Sequence, residues 1–192
     1  MKENITLFIE ILISDFFIAF GLISLLFLFI SIFTKNNLIL KTAEESKKFI
    51  SFVGIIYLLV WIIGIYIFYA ESNLEEKNSM LNRMFGKYWF GFWLQPILWF
   101  AITQFLRIEK IWKNIFLRII LSFMLIFSIE KYIIIITSFH RDYLPSSFSI
   151  ENSLDIYPEN LYLELITKLI FFLIFVGIYY VIKERLKIVL KK

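Results

Sequence analysis

The chain has 192 residues, 60% of them apolar and a fifth aromatic, with a net charge of +4 and a mean hydropathy of +0.78. A water-soluble domain of this size has too little interior to hide that much apolar surface. With no cysteine and one histidine, the composition excludes disulfides, thiolate-ligated zinc, iron–sulfur clusters and bis-histidine haem.

Runs of about 20 residues with almost no charge are each long enough to cross ~30 Å of hydrocarbon. They are continuously apolar rather than alternating, which argues for helices and against a β-barrel. The expected fold is therefore an all-α, polytopic membrane protein of five transmembrane helices, a four-helix bundle plus one, in a single domain spanning residues 1–192.

Helix 1 is expected over 11–33, with Asp15 about one turn inside its start. The N-terminus lacks the basic region and small-residue cleavage site of a signal peptide, so helix 1 is expected to be retained. A polar loop over 34–48 carries Lys35, Lys41, Lys47 and Lys48. Helix 2 is expected over 49–70, followed by a mixed-charge loop over 71–87. Helix 3, over 88–106, opens on YWFGFW, an aromatic cluster suited to a membrane interface, and Pro96 should kink it. A short basic loop leads to helix 4 over 115–139. A long polar loop, 140–160, holds His140, and helix 5 follows over 161–182 with a basic tail.

Lys and Arg set the expected orientation. The loops after helices 1 and 3, with the tail, hold thirteen of them; the N-terminus and the loops after helices 2 and 4 hold five. The positive-inside rule then puts the N-terminus outside, the C-terminus inside and loop 140–160 on the extracytoplasmic face.

Charges inside the spans need a partner or a role, because each costs roughly 2.5–3.5 kcal/mol at the bilayer centre. On helix 4, Glu130, Thr137 and Arg141 share a face, and Lys131, Ser138 and Asp142 follow the neighbouring strip. On helix 5, Glu164 and Lys168 stand four apart in the favourable order. With Asp15, these groups could meet in the outer half of the bundle. Two readings stand: a proton-conducting or quinone-facing cluster, or mutually neutralising ion pairs that fix helix register. Trp89, Trp93 and Trp99 read as interface and packing residues. No nucleophile–base pair, phosphate-cradling glycine loop, metal-ligand spacing or nucleic-acid-binding pattern is present.

Two stretches carry a family resemblance. LNRMFGKYWFGFW, from Leu81 to Trp93, and EKYIIIITSFHRDYLPSSF, from Glu130 to Phe148, resemble the NrfD/polysulfide-reductase type of membrane subunit. They are most similar to the quinol-oxidising subunit of bacterial alternative complex III. There an N-R-x-x-G-x-Y-W loop precedes one helix, and a motif ending H-R-D-F-L-P-S-S-W closes the next. The resemblance covers about residues 73–148 and corresponds to the second of the family's two four-helix bundles.

It implies a bacterial inner-membrane subunit of a respiratory electron-transfer complex. No cofactor would be held covalently or by metal ligation. Quinol would be the electron donor, and other membrane and extracytoplasmic subunits the partners, in a lipid setting. Carried over residue by residue, it gives Glu130, His140 and Asp142 a catalytic, proton-transferring role. Arg141, Trp89, Tyr88, Arg83, Asn82, Pro145, Ser146 and Ser147 become quinone or partner contacts. Departures from the pattern are Lys131 for the family's Arg, Ser128 and Phe148 for its Trp residues, and Gly64 where the family carries an acid. The alternatives are a non-catalytic structural or assembly subunit that keeps half of the family fold, and a small transporter or channel lined by helices 4 and 5.

Overall fold

The structure, a computed structural model, describes residues 2–34, 36–87, 89–127 and 161–190. All of the secondary structure among them is helical. The first rod comprises α1 (Lys2–Ile11), a π-helical segment (Leu12–Ile18) and α2 (Ala19–Phe33). Then come α3 (Asn37–Glu71), α4 (Leu74–Phe85), α5 (Trp89–Phe105), the short α6 (Glu109–Lys113), α7 (Ile115–Ile126) and α8 (Leu161–Leu190).

Among the described residues, three helices are long and apolar enough to cross a membrane: Asn4–Phe33, Asn37–Glu71 and Tyr162–Val189. α5 and α7 are apolar but shorter, at 17 and 12 residues; α7, expected to run from 115 to 139, ends at Ile126, where the backbone of Phe127 turns extended. Large apolar side chains such as Phe29, Ile32, Ile62 and Ile174 are exposed along the rods. Water would penalise that surface, whereas lipid would not.

Several element limits differ from those expected, each for a local reason. The segment expected as a polar loop over 34–48 is helical from Asn37. Asn36 caps it by accepting from the Leu38 N–H at 2.8 Å, and Glu44–Lys47 and Glu45–Lys48 pair three residues apart along it. The loop expected over 71–87 is largely α4, opened by a capping box in which Asn73 and Glu76 satisfy each other's backbone N–H groups. The first rod begins at Lys2 rather than near residue 11. The last helix runs on to Leu190, where Lys187 and Glu184 pair. α5 passes over Pro96 without a break in its helix.

The rods pack through aromatic rings and small residues. Phe17, Tyr57 and Trp99 form a triangle of edge-on contacts, with centroids 5.1–6.0 Å apart. Phe16, Phe49 and Phe172 form a second triangle that ties α8 to the first rod and α3. Where backbones must approach, glycine stands. A Cβ on Gly21 would come within 2.8 Å of the Ser122 carbonyl and 2.6 Å of Ile126, and one on Gly54 would overlap the Thr103 hydroxyl. Beside that second crossing, the Ser51 hydroxyl donates to the Thr103 carbonyl at 2.9 Å.

Candidate functional site

The expected catalytic trio Glu130, His140 and Asp142 lies outside the described residues, as do Lys131, Arg141, Pro145, Ser146, Ser147 and Tyr88. The remaining candidates fall into two places.

The first is the interface of the first rod with α8. Asp15 is 3% exposed and sits within the π-helical segment. Its neighbour Phe16 packs on Phe171, Phe172 and Phe175 of α8. One turn before Phe172 stands Lys168, 7% exposed, with its ammonium 2.7 Å from Glu164 Oε1. Asp15 and the Glu164–Lys168 pair therefore belong to the same helix–helix seam. A π-helical segment is rare and tends to occur at functional sites, because it turns side chains off the α-helical register.

The second is the corner where α4 folds over α1, α3 and α5. A cavity of about 550 Å³ opens here. Ile5 and Ile9 of α1, Trp61 of α3 and Phe92 of α5 give it apolar walls, while Glu75 and Arg83 of α4 edge it with charge. Gly64 forms part of the wall, and a Cβ there would meet Ile5 at 3.0 Å. Any side chain at this position would need Ile5 to give by a few tenths of an ångström. Trp61 stacks edge-on against Trp93, whose indole N–H donates to the Met84 carbonyl at 2.9 Å and pins the α4–α5 turn. Asn82 accepts the Gly86 N–H through its backbone carbonyl at 2.8 Å. Trp89 is 55% exposed. Of the first motif, Arg83 lines the cavity, while Asn82 and Trp93 build the turn that holds it. An apolar recess with a charged lip suits an amphiphile.

The opposite end of the bundle holds a charge cluster that spacing alone does not reveal. Lys47, 3% exposed, lies 2.8 Å from Glu44 and 3.3 Å from Glu109. Glu45 pairs with Lys48 at 2.9 Å and also with Lys183 of α8. Arg118 of α7 donates to the Ser24 hydroxyl at 2.9 Å and to the Ser24 carbonyl at 3.2 Å, and it covers the buried ring of Trp112. Hydrogen bonds from Lys47 and then Lys113 hold the Glu109 carboxyl below its ordinary value of 4.5. The three basic segments counted in the sequence thus meet at one end, joined through Lys47–Glu109 and Glu45–Lys183. Among the described residues no group of three His, Asp or Glu converges as a metal-ligand set.

Comparison with protein families, curated proteins and solved structures yields no match.

Proposed function

We propose that the chain is an NrfD-like, multi-pass subunit of a quinol-oxidising respiratory complex in a bacterial inner membrane. It would have five spans, with the N-terminus outside and the C-terminus inside. The two spans beyond the three long helices would be α5 and the segment 115–139. Quinol oxidation releases two electrons and two protons. In this proposal the electrons pass to a cofactor-bearing partner docked on the extracytoplasmic face. Protons leave by Glu130 and then by His140 with Asp142, while Arg141 orients the loop.

One observation supports this reading most. The basic cluster of Lys47, Arg118 and Lys183 gathers at one end of the bundle, and the Asn82–Trp93 motif with its amphiphile-sized cavity lies at the other. A bundle with cytoplasmic charge and an outward-facing motif is what a docking subunit requires. The deciding experiment is co-purification of the tagged full chain from membranes, with quinol oxidation then assayed in Glu130→Gln and His140→Ala. The proposal expects cofactor-bearing partners and a large loss of turnover. Intact assembly with unchanged turnover in both variants would leave the structural reading in its place.

A specific observation favours that second reading, of a non-catalytic structural subunit. Glu164 and Lys168 neutralise each other within one helix, as register-fixing pairs do.

A further inference from the structure

On the basic end, one face of α3 is left uncovered between α5 and α8, both of which pack against α3. Lys48, Phe52, Ile55, Leu59 and Ile62 recur at intervals of three and four, so they form one stripe along the helix. Its four apolar members are all exposed. The top of the stripe is a recess of about 400 Å³ between the α5–α6 turn and Tyr179 of α8. Phe52 stacks on Tyr179, with centroids 5.9 Å apart and planes 29° apart, and forms an apolar floor. Lys47, Lys48 and Arg107 stand round the mouth. Glu109, also at the mouth, is already engaged by Lys47 and Lys113, each at 3.3 Å. The Arg107 guanidinium has Gln104 Oε1 at 3.4 Å as its side-chain partner among the described residues, which leaves donors for a ligand.

We infer that this recess binds an anionic phospholipid, with Lys48 and Arg107 on its phosphate and one acyl chain along Phe52, Ile55 and Leu59. Cations at the mouth and a continuous apolar track below match the two halves of such a lipid. A soluble phosphate would leave the track unused, and a zwitterionic lipid would gain less from the two accessible cations, Arg107 and the half-exposed Lys48, whose ammonium also pairs with Glu45 at 2.9 Å. Basic pockets between membrane helices hold anionic headgroups in this way, each cation near the surface contributing roughly a fivefold gain in affinity. The site requires only that the bundle be embedded in a membrane, so it stands or falls independently of quinol chemistry.

Native mass spectrometry of the full chain in detergent, titrated with dioleoylphosphatidylglycerol and with dioleoylphosphatidylcholine, tests it. The wild-type chain should prefer phosphatidylglycerol. Lys48→Gln with Arg107→Gln should weaken that lipid by roughly 25-fold and leave phosphatidylcholine unchanged. If the double variant does not fold, each single variant is titrated instead and should lose roughly fivefold. The paired control Arg185→Gln with Lys187→Gln alters two cations away from the recess and should keep the preference. An absence of preference in the wild type, or an equal loss in the control, would overturn the assignment.

Discussion

The guanidinium of Arg118 lies 3.8 Å from the centre of the Trp112 ring, and the ammonium of Lys47 approaches the same ring at 5.2 Å. One indole, carried by a helix of only five residues, thus serves two cations from different rods. α6 is therefore more than a connector. It inserts the residue that lets α3, α7 and the first rod share a charged end.

Trp112→Ala should accordingly destabilise the bundle beyond the loss of apolar area. Two partly desolvated cation–π contacts would contribute about 1–3 kcal/mol together. Trp112→Phe should recover part of that. Thermal unfolding in detergent, compared across wild type, alanine and phenylalanine, reads the order directly. Equal midpoints for the two variants would show that the ring's face does not matter.

The crossing of α3 over α5 depends on Gly54. Because a Cβ there overlaps the Thr103 side chain, Gly54→Val should cost about 1–3 kcal/mol through forced separation of the helices. Gly177 has nothing within 4 Å of its Cβ position. Gly177→Ala should thus be neutral or stabilise by up to about 1 kcal/mol, through helix propensity. Unfolding midpoints of the two variants should move in opposite directions.

Glu164→Gln removes the carboxylate from Lys168, whose side chain is almost buried. The expected loss is about 1–3 kcal/mol. Replacing both partners together, with Leu at 164 and Met at 168, should recover much of it. A double-mutant cycle by thermal unfolding measures the coupling, and additive effects would show that the pair contributes nothing.

The Glu109 carboxyl, lowered by Lys47 first and Lys113 second, links stability to acid. Its contribution is fully present above the unfolded value of 4.5 and is lost as pH falls through the lower folded value. Wild type should lose stability below about pH 4.5 more steeply than Glu109→Gln, and the two should run parallel above pH 6. Unfolding midpoints taken from pH 7 down to pH 3 would reveal the divergence.

Much of the architecture was legible because hydropathy marks long apolar rods directly. The ion pair of Glu164 with Lys168 was legible because four residues of helix fix it. What escaped were helices written in polar residues. The segment 37–48 is rich in charge and reads as a loop by hydropathy, yet its acids and bases stand three apart and Asn36 is in place to cap it. α4 likewise announces itself only through Asn73 and Glu76. No local pattern foretells the π-helical turn around Asp15, nor Arg118 meeting Ser24 across 94 positions of chain. Those depend on how rods cross, which spacing along one of them does not encode.

α3 is a single helix of 35 residues, about 52 Å at helical rise and well over the thickness of a hydrocarbon layer. Trp61 in the wall of the α4 cavity and Lys47 among the charges at the far end both hang from it. An unbroken helix resists bending, so the two mouths of the bundle are mechanically one body. Whatever swings the indole sideways must tilt the ammonium as well, or break the rod between them.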